Sequence, residues 1–346
     1  MNWKKASNVN SKTPLIIIAG PTGVGKTGLA IALAREFGGE IINADSMQIY
    51  KLMDIGTAKP SPEERKLVPH HLLDVVYPDE VYNAARYRQD AEEAIRDISG
   101  RGKCAFVVGG TGLYIKALTR GLFNMPVTDQ AVRQTLRNEM EKNGLDRLYA
   151  ELKGVDLKAA QNIHRHDKVR ILRALEVFRL TGKPISVYQS EHEFRDSKYD
   201  TLKIGLELDR DKLYERIEIR AHEMLEAGLI DEVRGLLAAG YAKDLKPMQS
   251  LGYRHVIRYL GNESNPPSPP FTKGGNMLSP PLKKGDTGGF PSEYTFDEML
   301  RTMIRDTRRY AKRQLTWFRR DPEIRWYAPS DADEIVRQVK VFLQKS

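Results

Sequence analysis

The chain has 346 residues, with 55 Lys and Arg against 46 Asp and Glu, so its formal net charge is +9. This length accommodates a full α/β core and a second lobe, and the charge favours polyanions such as nucleic acid, with a basic surface kept for solubility as the alternative. The single cysteine, Cys104, excludes a disulfide framework and a cysteine-rich zinc site, and the longest apolar runs have only strand length.

The N-terminus, residues 1–13, is polar with scattered lysines and lacks the apolar core of a signal peptide. We therefore expect a flexible tail here, and a cytoplasmic protein with no membrane contact.

The first strong motif has the form G-x-x-x-x-G-K-T and comprises Gly20, Pro21, Thr22, Gly23, Val24, Gly25, Lys26 and Thr27. An apolar run over 15–19 predicts a strand before it, and an amphipathic pattern predicts a helix after it. Backbone N–H groups of such a loop converge on phosphate oxygens, the lysine adds a charge, and the Thr27 hydroxyl is placed to bind Mg²⁺. We predict that this loop binds a diphosphate or triphosphate.

Further short apolar segments at 40–45, 104–108 and 202–208 predict three more strands. Their alternation with helical segments is typical of a parallel sheet, in which ligands gather beyond the carboxyl ends of the strands. Asp45 and Thr111 fall at such ends. Asp45 is a candidate general base, with Mg²⁺ binding or a structural role as the alternatives.

The segment 121–200 has a helical, basic pattern, which predicts an all-helical lobe inserted into the core. Arg170 and Arg173 share one face of a predicted helix there, while Ile171 and Leu175 lie on the opposite, buried face. A solvated basic face is the alternative to RNA binding.

The segment 262–292 is dense in Pro, Gly and Ser and repeats a Ser-Pro-Pro pattern, so it has too little apolar surface to offset the entropy of ordering. We predict a disordered insertion. The fold class is then α/β: a P-loop core with a mostly parallel sheet flanked by helices, formed by 14–120, 201–261 and 293–330. A C-terminal helix follows over 331–346.

A strongly basic helix is predicted after the insertion, beginning at Phe296 and carrying Arg305, Arg308, Arg309, Lys312 and Arg313. Tyr310 and Trp317 lie among these charges, an arrangement suited to a nucleic-acid backbone with stacking surfaces nearby. The favoured alternative places Trp317 and Phe318 in the core.

Several longer motifs carry a resemblance to a known family. They are Asn-Ala-Asp-Ser-Met-Gln-Ile-Tyr at 43–50, Met-Asp-Ile-Gly-Thr-Ala-Lys-Pro at 53–60, Gly-Gly-Thr-Gly-Leu-Tyr at 109–114, Arg-Ala-Leu-Glu-Val at 173–177, Leu-Gly-Tyr-Arg at 251–254, and Asp-Thr-Arg-Arg-Tyr-Ala-Lys-Arg-Gln-Leu-Thr-Trp-Phe at 306–318. With these motifs in this order, the chain resembles the tRNA dimethylallyltransferases, also called tRNA isopentenyltransferases. The resemblance extends from about residue 14 to residue 326.

The resemblance implies transfer of a dimethylallyl group from dimethylallyl diphosphate to N6 of the adenosine 3′ of the tRNA anticodon. The phosphate loop would hold the prenyl diphosphate with Mg²⁺ as cofactor, and Thr22 would contact its bridging oxygen. Asp45 would take the proton, and Arg216 or Arg220 would complete the phosphate clamp, an ion pair with Glu215 or Glu223 being the alternative for either arginine.

The resemblance also assigns contacts with the tRNA anticodon stem-loop, whose target base must leave its stack. They fall on Asp45, Ser46, Met47, Gln48, Thr111, Arg133, Val169, Arg170, Ile171, Leu172, Arg173, Gly252, Tyr253 and Arg254. We expect a monomer with no obligate protein partner. The rival hypotheses are a P-loop small-molecule kinase using ATP and a non-catalytic, nucleotide-sensing RNA-binding protein.

Overall fold

In the part of the chain that the structure describes, one sheet contains six strands. A computed structural model describes residues 12–122, 129–191, 198–261 and 294–345. Within these ranges the strands are β1 Thr13–Ala19, β2 Glu40–Asn43, β3 His70–His71, β4 Ala105–Gly109, β5 Tyr199–Leu206 and β6 Ile324–Tyr327. Their order in the sheet is β3-β2-β4-β1-β5-β6. The pairs β1–β4, β2–β3, β2–β4 and β5–β6 are parallel, which confirms the predicted fold class.

Two of these strands, β3 and β6, are absent from the predictions made from sequence, and both lie at the edges of the sheet. The central strands were recognisable because both faces of a parallel sheet are covered by helices, so that β4 is buried along its whole length. The strand predicted over 40–45 ends earlier, at Asn43, which leaves Asp45 in the loop beyond it.

Helices flank this sheet in the larger of two compact units, Met1–Ile115 with Asp200–Ser346. They are α1 Lys26–Glu36, α2 Pro62–Leu67, α3 Ala84–Gly100, α4 Gly112–Arg120, which continues into the second unit, α10 Arg210–Glu226, α11 Leu229–Ala238, α12 Tyr253–Gly261, α13 Phe296–Phe318 and α14 Ala332–Lys345. Ile16, Phe106 and Ile204 of the strands belong to the main core cluster, which also includes Ala311 of α13 and Ile335 of α14. The last part of the chain therefore completes the core around the first strand.

The second unit, Lys116–Tyr199, has its own core. Its further helices are α5 Gln130–Asn143, α6 Leu145–Val155, α7 Leu157–Asn162, α8 Lys168–Thr181 and α9 Ile185–Glu191. Asp156 caps α7 by accepting the Ala159 N–H at 2.9 Å and also accepts the Ser186 N–H at the start of α9, again at 2.9 Å. One buried carboxylate thus ties two of the helices together.

The predicted insertion over 262–292 lies outside the described residues, as do residues 1–11 of the predicted tail. In the described part of the chain no helix combines the length and apolar character needed to cross a membrane.

Candidate active site

The phosphate loop connects β1 to α1, as the motif predicts. Gly25 caps α1 in the left-handed region, at φ 100°, and the first helical residue is Lys26. Gly20 lies against β5 so closely that a Cβ there would stand 2.7 Å from the carbonyl oxygen of Leu206. Glycine at these two positions therefore lets the loop turn tightly and present backbone N–H groups at the helix N-terminus.

The Lys26 ammonium folds back over the loop and donates a hydrogen bond to the carbonyl of Pro21 at 2.7 Å. Burial lowers the pKa of Lys26 to about 8, and the Arg220 charge acts in the same direction, while the carboxylate of Asp45 opposes both. The lysine is thus a cation held in a site that lacks sufficient negative charge, which is the condition expected of a group that receives a phosphate.

Two arginines of α10 reach the same loop. Arg220 Nη1 donates to Thr22 Oγ at 3.4 Å, and Arg216 Nη1 donates to the Val24 carbonyl at 3.4 Å. Burial lowers the pKa of Arg220, against the opposing charges of Asp45 and Glu223. Among the described residues both arginines donate to the phosphate loop, and no ion pair of either with Glu215 or Glu223 is found.

Asp45 lies two residues beyond β2, where its neighbours fix the backbone. The Asn43 side chain accepts the Asp45 N–H at 3.0 Å and donates to the carbonyls of Asp45, at 3.2 Å, and Leu72, at 3.0 Å. Asp45 Oδ1 accepts the N–H of Met47 at 2.9 Å. One carboxylate oxygen of Asp45 therefore anchors the local turn.

A cavity of about 470 Å³ joins these groups. Its lining includes Thr22, Gly23, Gly25, Lys26, Thr27, Asp45, Gln48, Glu64, Arg216, Arg220, Glu223 and Gln314. Cations from the loop and α10 thus share one space with the carboxylate of Asp45. The cavity is large enough for a small organic diphosphate and part of a second reactant.

Oxygen donors suited to Mg²⁺ lie in this cavity. Thr27 contributes a hydroxyl and Asp45, Glu64 and Glu223 contribute carboxylates. In the described residues no cluster of three or more His, Cys, Asp or Glu forms a complete metal site. Mg²⁺ commonly takes one or two protein ligands and completes its shell with water and substrate phosphate.

Gln314 of α13 also lies at this site, although no role was predicted for it from the sequence. Its Oε1 accepts the Thr22 N–H at 2.9 Å, and its Nε2 donates to the Gly110 carbonyl at 2.9 Å. The side chain is only 5 % exposed, and a Cβ at Gly110 would collide with its amide nitrogen. Gln314 therefore links the phosphate loop to the end of β4.

Two phenols complete the surroundings of Asp45. Burial raises the pKa of Tyr310, on α13, and of Tyr114, on α4, and the negative charge of Asp45 adds to the rise in each. Both hydroxyls therefore stay protonated at neutral pH. Tyr114 also stacks on Tyr87, with ring centroids 4.2 Å apart, so its ring is held in a fixed position.

Some of the residues assigned to tRNA lie at this site. Thr111 Oγ accepts the N–H of Ser46 at 3.0 Å, and so holds the segment that begins at Asp45. Gln48 Nε2 donates to the carbonyls of Thr57, at 3.2 Å, and Ala58, at 3.0 Å. Met47 is partly exposed. Of these residues, Gln48 lines the cavity, as Asp45 does.

The structure contradicts one of the tRNA contacts predicted for the Leu-Gly-Tyr-Arg motif at 251–254. Gly252 has a φ of 84°, and Arg254 donates to Asp306 at 2.7 Å. Tyr253, predicted to contact tRNA, is fully buried and donates its hydroxyl to Glu232. The prediction for the Tyr253 side chain is wrong in this structure, because the ring packs inside the protein and its hydroxyl already has a partner.

In the second unit the predicted tRNA residues form a network on α8 and α5. Arg133 Nε donates to Glu176 at 3.0 Å, and Arg173 pairs with the same carboxylate at 2.8 Å. Arg170 pairs with Asp167 at 3.1 Å. The buried Glu176 therefore orients two of the arginines.

Three neighbouring apolar residues of α8 differ in exposure. Val169 is 77 % exposed, and Leu172 is partly buried. Ile171 is fully buried in the core of this unit, so the predicted contact of its side chain with tRNA is wrong in this structure.

The basic helix α13 exposes Arg305, Arg309, Lys312 and Arg313. Phe318 is buried at 3 %, as expected of a core residue, whereas Trp317 is 40 % exposed, contrary to the favoured alternative. The Trp317 indole packs against Gly112, where a Cβ would collide with it. Basic charge and an exposed indole thus lie on one helix.

Comparison with known proteins gives a consistent result. A family model described as IPP transferase matches residues 48–321. The "tRNA dimethylallyltransferase 2" of Geotalea uraniireducens is 50 % identical over 315 residues, 91 % of this chain and 92 % of the relative. The solved tRNA isopentenylpyrophosphate transferase of Bacillus halodurans is 35 % identical, with a TM-score of 0.66, and the match covers 96 % of this chain and 98 % of that one.

A solved eukaryotic dimethylallyltransferase acting on tRNA is 30 % identical, with a TM-score of 0.68. That match covers 88 % of this chain and 69 % of the eukaryotic one.

Proposed function

This chain belongs to the IPP transferase family, and we propose that it transfers the dimethylallyl group of dimethylallyl diphosphate to N6 of the adenosine that follows the tRNA anticodon. The protein is an enzyme of tRNA modification, a prenyltransferase, and relatives named for this activity match more than nine-tenths of its length. These matches support prenyl transfer over the rival hypotheses of an ATP-dependent kinase or a passive RNA-binding protein.

One observation carries the proposed chemistry: Asp45 shares a single cavity with the phosphate loop and its cations. The N6 amine of adenine is a weak nucleophile, because its lone pair is delocalised into the ring. In the proposed reaction N6 bonds to C1 of the allyl group, the C1–O bond to diphosphate breaks, and Asp45 accepts the N6 proton. The anchored turn at Met47 keeps this carboxylate in place during the transfer.

The leaving diphosphate is stabilised by cations that already surround the loop. Lys26 exchanges its bond to the Pro21 carbonyl for a phosphate oxygen, and loop N–H groups donate to the same group. Arg220, which contacts Thr22, lies nearest the proposed position of the bridging oxygen, and Arg216 flanks the loop at Val24. The allylic carbon tolerates the positive charge that develops as the C–O bond lengthens.

Mg²⁺ is the proposed cofactor, because the Thr27 hydroxyl opens onto the cavity beside the loop. When bound there, the ion would neutralise part of the diphosphate charge. Thr27 would hold it together with phosphate oxygens and water.

The tRNA is proposed to approach the side of the cavity lined by Asp45 and Gln48 and to contact Ser46 and Met47 between them, with Thr111 holding that segment. A base in a single-stranded loop leaves its stack at a small cost, which fits an anticodon loop as the substrate. Exposed arginines of α13 supply charge for the phosphate backbone. We further propose that the enzyme acts as a monomer in the cytoplasm, where its tRNA substrate is found.

The test is transfer of isotopically labelled dimethylallyl from its diphosphate to tRNA in the presence of Mg²⁺. We expect label on a tRNA with adenosine after the anticodon and none on the same tRNA with guanosine there. Chelation of Mg²⁺ should abolish the transfer. Turnover of ATP without transfer of label would refute the proposed function.

A further inference from the structure

The Glu232 carboxylate, on α11, binds backbone N–H groups of a loop that is distant in the sequence. Its Oε2 accepts the N–H groups of Asp54 and Ile55, both at 2.8 Å, and its Oε1 accepts the N–H of Gly56 at 3.2 Å. Successive N–H groups that converge in this way form an anion-binding nest, and here the anion is a side chain of the protein itself. The loop over 53–59 is therefore fixed to a helix that lies more than 170 residues further along the chain.

Tyr253 holds the carboxylate in turn. Its hydroxyl donates to Glu232 Oε1, and its ring lies against Gly56 so closely that a Cβ there would stand 2.7 Å from the ring carbon Cζ. Leu229, on α11 with Glu232, would lie 2.9 Å from that Cβ. The buried tyrosine thus fixes both the charge that binds the loop and the surface on which the loop packs.

The loop has a conformation that needs such support. Ala58 has a φ of 48°, in the left-handed region that costs an alanine free energy. The buried ammonium of Lys59 holds the next residue by donating to the Tyr50 carbonyl at 2.7 Å and to Asp54 and Asp74 at 2.6 Å each. Contacts from both sides therefore maintain the strained turn.

Two backbone carbonyls of this turn orient the Gln48 side chain. Both hydrogens of the Gln48 amide are used by the carbonyls of Thr57 and Ala58, so the amide is fixed with its oxygen as the group left to accept a hydrogen bond. Gln48 lines the same cavity as Asp45. A shift of the turn at Thr57 and Ala58 would therefore turn or release a polar side chain that lines this cavity.

We propose that Glu232, held by Tyr253, is a positioning residue for Gln48 and hence for the RNA side of the active site. This inference rests on the proposed function, because it takes Gln48 to act on the tRNA substrate. The cavity lining that the described residues form includes neither Glu232 nor Tyr253. Their loss therefore acts on the tRNA and leaves the diphosphate site unchanged.

The variant Glu232→Gln tests this directly. One carboxylate oxygen becomes an NH₂ group, which cannot accept the loop N–H groups. We expect kcat/KM for tRNA to fall by about tenfold to a hundredfold, the effect of losing hydrogen bonds to a charged acceptor. The dissociation constant for inorganic diphosphate, measured by calorimetry with Mg²⁺, should stay within about twofold because the cations around the loop keep their contacts.

The matched control is Asp231→Asn, which removes the same charge one residue away. Asp231 has 81 % of its side chain exposed and pairs with Arg234 on the same helix. We expect wild-type kinetics for both substrates. A loss in this variant equal to that of Glu232→Gln would mean that the net charge of α11 matters, and not the nest, and would overturn the proposal.

Tyr253→Phe gives a second, milder test that keeps the ring under Gly56. It removes one hydrogen bond to Glu232, so kcat/KM for tRNA should fall by about threefold to tenfold. If Glu232→Gln fails to fold, as judged by its thermal unfolding midpoint, this variant decides the question. Equal losses for tRNA and diphosphate, or no loss for tRNA, would overturn the proposal. Failure of the wild-type enzyme to prenylate tRNA would instead refute the proposed function.

Discussion

Replacement of Asp45 by asparagine separates the chemistry of this side chain from its structural role. Asp45 Oδ1 accepts the Met47 N–H at 2.9 Å, and an asparagine carbonyl can accept the same bond. The bonds from Asn43 go to the backbone of residue 45 and are unaffected by the change. The turn should therefore remain, while the ability to accept a proton is lost.

The expected loss follows from the role assigned to the carboxylate. A positioned general base contributes about 10²-fold to 10⁴-fold in rate, so kcat at saturating substrates should fall by that factor. Asp45 also raises the pKa of Lys26, which burial lowers to about 8. Without this charge the Lys26 pKa falls further, so the assay is made at about pH 6.5, where most of the lysine remains protonated.

The assay is single-turnover transfer of labelled dimethylallyl with enzyme in excess, together with calorimetric binding of inorganic diphosphate. Asp79→Asn, at an exposed position, is the control for the loss of one charge. An Asp45→Asn variant that kept more than about a third of wild-type kcat would contradict the assignment of a general base. Recovery of activity at high Mg²⁺ concentration would instead identify Asp45 as a metal ligand.

Three further predictions concern the phosphate side. Arg220→Lys should raise KM for dimethylallyl diphosphate by about tenfold and Arg216→Lys by less, because Arg220 is partly buried beside Thr22 whereas Arg216 is exposed; equal effects would contradict this ranking. The pKa of Lys26 is lowered, so its charge is present below about pH 8 and lost above it. In pH profiles, kcat/KM for the diphosphate should therefore fall as pH rises through that value, and Lys26→Arg should remove this fall because arginine stays charged. Gln314→Met keeps the volume but leaves the Thr22 N–H and the Gly110 carbonyl unpaired, so steady-state kinetics should show kcat/KM for the diphosphate reduced by about tenfold to a hundredfold, while tRNA binding in a filter assay stays unchanged.

The sequence predicted the phosphate loop and the central strands because their signals are local. The spacing of Gly20, Gly25 and Lys26 is required by the loop itself, and the continuous apolar runs of β1 and β4 follow from burial on both faces. The edge strands β3 and β6 were missed for the opposite reason. His70–His71 has two residues, and Ile324–Tyr327 is partly exposed, so neither carries a periodic apolar pattern.

The contacts that hold the site could not be predicted in the same way. Gln314 meets Thr22 across 292 positions, and Glu232 meets Asp54 across 178, so no window of sequence contains both partners. The errors at Tyr253 and Ile171 have one cause: a sequence motif does not distinguish its exposed residues from the buried residues that support them. The contact of the Trp317 indole with Gly112 likewise joins residues far apart in the sequence, so it could not be predicted from a local pattern.

The link between Gln314 and Thr22 has a consequence for the order of events during synthesis. The phosphate loop leaves the ribosome early, but the side chain that fixes it belongs to a helix near the end of the chain. Domains fold as their residues emerge, so a nascent chain lacking α13 has β1 and the loop without the residue that links the loop to β4. Such a chain would hold diphosphate poorly. The enzyme therefore becomes competent for its small substrate only when α13, the basic helix proposed to bind the RNA backbone, is also in place.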